Sequence, residues 1–212
     1  MDTVRNADSG HTGGPMSSMD FTYVLFKEFL KFDPDDPNWM DRDRFVLSAG
    51  HESALIYTML TYIGWLEIDD LKCFRQLGSR TPGHPERNLT PGIEATTGPL
   101  GQGIGNSLGM AVAECILREH FGEDVVSHYT YCLHGDGDIQ EPVAQGAIAL
   151  AGMHPHNWGG RLPAFKTVPD DVAKALSKRE HGMSMPGLTT ISDEAAKLLP
   201  VSYTHLTLPT KA

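Results

Sequence analysis

A chain of 212 residues, 40% apolar and 21% charged, is long enough for one ample globular domain, or for one domain and a further segment. Its 17 basic and 27 acidic side chains leave a net charge of −10, which argues against a polyanionic partner such as DNA or RNA, because that binding rests on Lys and Arg. The same balance leaves room for a local phosphate site, since backbone amides at a helix start bind anions without any basic side chain.

In chain order, Met1 to Asn6 lacks the apolar core of a signal peptide, and no later run is long enough to cross a membrane. A cytoplasmic protein is the expectation. Residues 17–32 read as an amphipathic helix, opened by a Ser17/Asp20 capping box and with Val24, Leu25, Phe29 and Phe32 at helical spacing. Pro34 to Pro37 end it. Phe45-Val46-Leu47 suits a short buried strand. Residues 52–62 form a second helix with Leu55, Ile56, Met59 and Leu60 inward, and residues 69–76 a short third.

Residues 78–106 are rich in Gly, Pro and Thr and read as a long functional loop. A helix over residues 102–121 follows, its small residues early and Gly122 as its C-cap. Tyr129, Tyr131 and Leu133 alternate with Thr130 and Cys132 as a strand running into Gly135-Asp136-Gly137. Residues 142–150 make a further apolar helix with Pro in its first turn. Such alternation predicts an α/β layered fold with a mostly parallel sheet. Cys73, Cys115 and Cys132 are odd in number and form no CxxC; Cys115 in an apolar helical run and Cys132 in a strand read as small buried hydrophobes, and a reducing compartment is expected.

Asp136 stands between two glycines at the C-terminal end of a strand, where α/β sheets bind ligands and where a carboxylate can hold Mg²⁺. An ordinary strand-to-turn Asp-Gly fits the same residues. The glycines at 101, 103 and 105 miss the dinucleotide fingerprint, because Asn106 occupies its last position. What remains is a glycine-rich helix entrance, fit for a phosphate or for tight helix packing. Three histidines, His11, His51 and His84, each lie beside Gly in loop-like segments, and together they point to a polar substrate site. Zinc is disfavoured: there is no HExxH, and His154-Pro155-His156 is poor geometry for a closed site.

Ser9-Gly10-His11 with Gly14-Pro15-Met16, the run from Asp41 to His51, Thr81 to Glu86, Thr96 to Gly103 and Gly135-Asp136-Gly137 together resemble the start of the N-terminal, pyrophosphate-binding domain of transketolase. The likeness runs from Asp2 to Gly152. It implies an incomplete thiamine-diphosphate-binding α/β fold, with a mostly parallel sheet flanked by helices. It also implies two-carbon ketol transfer between sugar phosphates in the pentose phosphate pathway, using thiamine diphosphate and Mg²⁺. By the resemblance, His11 lies near the reacting sugar and cofactor, His51 contacts the diphosphate and substrate, and His84 binds the donor's hydroxyl groups. Gly98-Pro99-Leu100 packs against the cofactor, Gly135 and Gly137 flank it, and Asp136 ligates Mg²⁺. The family works as a homodimer with its site between two chains. Glu141 matches an interface position and equally suits a helix-start carboxylate.

The chain also departs from the family pattern. The second half of the metal site, an Asn at the end of the next strand, has no counterpart except Asn157, into which no apolar strand leads. Residues 1–153 are therefore expected to be a partial N-terminal domain. Residues 154–200 are read as a linker-like, poorly ordered remnant, with Asn157-Trp158 and the run from Arg161 to Phe165 resembling the segment before the family's second domain. Residues 201–212 resemble a translated sequencing adapter, a non-native tail. The pyrimidine-binding domain and its activating glutamate are not represented, so the resemblance implies an inactive fragment. The alternatives are the N-terminal subunit of a split enzyme, or another thiamine-diphosphate enzyme such as deoxyxylulose-phosphate synthase, which the segments 82–86 and 98–103 fit less well.

Overall fold

A computed structural model of the chain describes residues 1–152 and 204–206. The expected remnant 154–200 and most of the expected tail lie outside the described residues. The architecture is α/β. Strand β1 (Arg44–Leu47) pairs in parallel with β2 (Thr130–Gly135), Arg44 opposite Thr130 and Leu47 opposite Leu133. Strand β3 (Thr204–Leu206) adds an antiparallel neighbour, with Leu133 opposite Leu206.

Both β1 and β2 are buried on two faces, as their unbroken apolar runs require. The two-residue side-chain period sorts them. Phe45, Leu47, Tyr131 and Leu133 join the larger core with Leu55, Ile56, Met59 and Leu60 of helix α3 (Ser53–Tyr62). Cys132 points the other way, into a smaller cluster with Ile104 of helix α5 (Gln102–Phe121) and Ala144 and Ala147 of helix α7 (Pro142–Gly152). Close approach decides one α5 residue: a Cβ on Gly103 would stand 2.4 Å from the Ser48 Cα.

Two aspartates fix the register where the strands begin. Asp43 accepts from the Lys31 amide at 2.8 Å and the Tyr129 amide at 2.6 Å. Asp41 accepts from the Lys31 ammonium and the Ser127 amide, both at 2.6 Å. Burial alone would push Asp41 upward, but Lys31, the Ser127 amide and His128 outweigh it and hold the carboxyl at about 2.

The first long helix departs from expectation. Helix α1 (Asp2–Ala7) precedes it, and helix α2 (Gly13–Val24) starts four residues before the predicted capping box, with Thr12 as N-cap. Ser17 instead bonds back to the Gly14 carbonyl. Pro15 fits there because a first-turn residue needs no amide donor. A π-helical turn, Leu25–Phe29, closed by the Leu30 amide on the Leu25 carbonyl, then rotates the face. Leu25 and Phe26 enter the core, while Val24 and Phe29, predicted inward, are 45% and 67% exposed.

Helix α3 and helix α5 match their predicted spans closely, whereas the third is the short helix α4 (Ile68–Lys72), which ends four residues before the predicted 76. Between α4 and α5 the chain has no regular element, as predicted. It is nonetheless anchored, by Phe74 and Ile93 in the larger core and by a set of hydroxyls. Thr81 donates to the Asp70 carbonyl, Thr90 to Arg80, Thr97 to Leu47, Ser53 to Gly83 and Tyr57 to His84. Among the described residues no helix is long and apolar enough to cross a membrane.

Candidate functional site

The C-terminal ends of β1 and β2 lead directly into the segments singled out in the sequence. After β1, a 3₁₀ turn (Gly50–Glu52) presents His51. Gly50 has no room for a side chain, since a Cβ would fall 2.7 Å from the Gly98 amide nitrogen and 2.8 Å from Thr97 Oγ1. The Thr97 hydroxyl in turn donates to the Leu47 carbonyl at 2.7 Å. Backbone packing and one threonine thus press residues 97–98 onto the end of β1.

The three predicted histidines converge there. The His11 and His51 rings meet edge to face, their centroids 5.1 Å apart. The His84 ring lies 3.3 Å from where a Cβ of Gly98 would stand, and Gly98 holds a φ of 150° that side chains disfavour. Burial first, then the neighbouring His11, push His51 below the usual histidine value; Asp138 pulls it upward, and His84 adds the smallest push down. Burial, the Arg75 guanidinium and His11 do the same to His84. Neutral imidazoles at pH 7 can each donate and accept a hydrogen bond, which suits a ligand rich in hydroxyl groups.

The two predicted glycine segments also meet. A Cβ on Gly137 would lie 3.3 Å from Leu100 Cδ1, and one on Gly101 would lie 2.8 Å from the Glu141 Cβ. Pro99 and Leu100 are exposed. Asp136 opens helix α6 (Asp136–Gln140) and is exposed, with its carboxylate available to a cation. Glu141 follows α6, and its carbonyl accepts from the Gln145 amide in the first turn of α7, so it has a helix-start role within the chain.

Two functional-looking carboxylates escaped the sequence reading. Asp138 is fully buried and receives the Ser48 hydroxyl at 2.6 Å, the Gly101 amide at 2.8 Å and the Gly135 amide at 2.9 Å. The amide at the start of α5, open in the sequence reading to a phosphate, is therefore taken by the protein's own carboxylate. The signal was present: Asp138 is the third residue of α6, where an acidic side chain reaches back to the cap amide. Glu52 is 9% exposed and lies against Gly14, where a Cβ would sit 2.2 Å from its carboxyl carbon. Burial, helped by Asp138, pushes it up to about 7, against a long 3.5 Å bond from the Ser18 hydroxyl.

His51 and His84 gather around the glycine backbone at 50 and 98, and Asp136 is an exposed carboxylate at the end of β2, one residue from Gly137, which packs on Leu100. That suits the diphosphate and cation end of a cofactor. Among the described residues no group of three or more His, Cys, Asp or Glu side chains is placed to hold a metal ion.

Comparison with known families decides the assignment: the family described as "Transketolase, thiamine diphosphate binding domain" matches residues 1–158. The chain belongs to the transketolase family. It is 55% identical over 156 residues to transketolase 1 of Vibrio cholerae, covering 72% of this chain and 24% of that protein. The transketolase structure from Leishmania mexicana superposes with a TM-score of 0.71 at 52% identity, covering 74% of this chain and 24% of that one. A Pichia stipitis transketolase in complex with sedoheptulose-7-phosphate gives 0.64 at 45%, covering 71% and 23%. The chain thus spans about a quarter of the length of the relatives it matches. The expected incomplete thiamine-diphosphate-binding α/β fold is the one found, and the family is transketolase rather than the synthase alternative.

Proposed function

We propose that this chain supplies the diphosphate- and metal-facing half of a site for two-carbon ketol transfer between sugar phosphates. The observation that carries this reading is the convergence of His11, His51 and His84 on Gly98, beside a free Asp136. Thiamine diphosphate, when bound, supplies the electron sink that breaks a carbon–carbon bond next to a carbonyl. The backbone of Gly98, Pro99 and Leu100 and of Gly135 and Gly137 would lie along it, and Asp136 would hold Mg²⁺. His51 would bind at the diphosphate and substrate, with His11 and His84 on the sugar hydroxyls. Their lowered proton affinity leaves the neutral forms of His51 and His84 able to take or give a hydroxyl proton near pH 7.

The sugar bound to the Pichia stipitis relative supports a phosphorylated ketose as substrate. A homodimer in the cytoplasm, with a second copy completing each site, is the assembly proposed for the whole family protein. Because the 212 residues match about a quarter of such a protein, they are expected to perform no ketol transfer alone. The test is calorimetry of thiamine diphosphate with and without Mg²⁺ on the chain and on Asp136→Ala, beside an assay with a ketose phosphate donor. Weak, Mg²⁺-dependent binding that Asp136→Ala abolishes is expected. Mg²⁺-dependent binding that survives Asp136→Ala would remove Asp136 from the metal site, and turnover by the chain would show that this half suffices.

A further inference from the structure

Three separate segments end on one side chain. Ser48 follows β1, Gly101 caps α5 and Gly135 ends β2, and each gives a hydrogen to the Asp138 carboxylate: Ser48 and Gly101 to Oδ1, Gly135 to Oδ2. Asp138 has no exposed surface, and Gly101 sits at a φ of 77° with the Asp138 carbonyl oxygen 3.0 Å from its absent Cβ. Leu100 and Asp136, the residues flanking this junction, both face solvent. The distance between the residue 98–100 turn and the Asp136 turn is therefore set from beneath.

Building on the function proposed above, we propose that Asp138 is a positioning residue: its carboxylate locks the glycine turn before α5 to the glycine turn after β2, presetting the diphosphate cradle before any ligand arrives. A carboxylate is the group this junction needs. Three donors converge on two acceptor atoms, and a negative charge next to the first turn of a 20-residue helix is favoured by its aligned peptide dipoles. The protein's own anion holds the Gly101 amide at that helix start, so a diphosphate would meet the exposed turn residues, with Asp136 as the side chain that would hold its cation. An amide at position 138 would keep one acceptor and turn a donor toward another N–H. One of the two turns would then come loose while the apolar core is untouched.

The test is site-resolved amide exchange on the ¹⁵N-labelled full chain. In the wild type, the Gly101 and Gly135 amides are expected to exchange as slowly as those of Leu55 and Ile56 in α3. Fast exchange at both in the wild type overturns the proposal, whether or not any variant folds. In Asp138→Asn, Gly101 or Gly135 is expected to exchange at least about tenfold faster while Leu55 and Ile56 stay within about threefold. Unchanged rates at both glycines, or uniform acceleration everywhere, overturn it, the latter because it marks a role in overall stability. A second readout titrates Mg²⁺ with inorganic pyrophosphate and follows the Gly98 and Gly137 amides, where Asp138→Asn is expected to bind about tenfold more weakly. Equal affinity in the two proteins overturns the positioning role. Binding by neither refutes the diphosphate reading of the site, while the exchange rates still decide whether Asp138 locks the turns.

Discussion

Replacing Glu52 with Gln should make the protein more stable at pH 8, and by much less at pH 5. Glu52 is 9% exposed, pressed against Gly14, and faces the Ser18 hydroxyl from α2 and the Asp138 carboxylate from α6. Burial and Asp138 raise it from 4.5 to about 7 in the folded chain. Between these values the folded state binds more protons than the unfolded state, so stability is fully present below pH 4.5 and is lost as pH rises through 7. A rise of this size corresponds to a loss of about 3 kcal/mol, as an order of magnitude. Glutamine keeps the shape and carries no charge, so the variant lacks this loss. The assay is urea denaturation of both proteins at pH 5, 6, 7 and 8, and the quantity to follow is the difference between them. That difference cancels the histidines, whose lowered values act in the opposite sense. A difference that does not grow from pH 5 to pH 8, or a variant less stable at pH 8, would refute the reasoning.

Other substitutions probe the frame of the site. Gly103→Ala places a methyl 2.4 Å from the Ser48 Cα and should cost about 1–3 kcal/mol or more by forcing α5 off β1, measured by chemical denaturation. Gly109→Ala, on the same helix with nothing within 4 Å, should instead stabilise by up to about 1 kcal/mol, and a loss there would mean that the α5 surface is not free. Asp41→Asn removes a carboxylate held at about 2 instead of 3.8 and should cost about 2 kcal/mol at pH 7. That contribution is present above pH 3.8 and fades as pH falls toward 2, so an Asp41→Asn deficit unchanged at pH 3 would contradict the electrostatic account.

Much of this was legible in the sequence where the signal is local. The spans of α3, α5 and β1 follow from periodic apolar positions, and Gly122 ends α5 as its lack of a Cβ suggests. The meeting of His11, His51 and His84 was legible through the motifs that carry them. The start of α2 was misread because Ser17 and Asp20 imitate a capping box, while Thr12 and Pro15 mark the real first turn. The π-helical turn was invisible, because a fixed 3.6-residue period cannot register an added residue. Asp138 and Glu52 were missed for another reason. The Ser48 and Gly101 partners of Asp138 lie 90 and 37 residues away, and Glu52 meets Ser18 across 34. Only the packed layers make those groups neighbours.

The clamp between Asp43 and Tyr129 joins positions 86 residues apart, and the parallel pair it guards has consequences for how the chain is made. During synthesis β1 leaves the ribosome long before β2, and its apolar run must wait without a partner until the loop, all of α5 and β2 have followed. Contacts of such sequence separation fold slowly, since the closure entropy is lost before any pairing is gained. The hydroxyl-anchored stretch before α5 shortens that search by tying Thr97 to Leu47 across 50 residues. The newborn β1 is thus a natural stop for a chaperone, and its release should coincide with the emergence of β2.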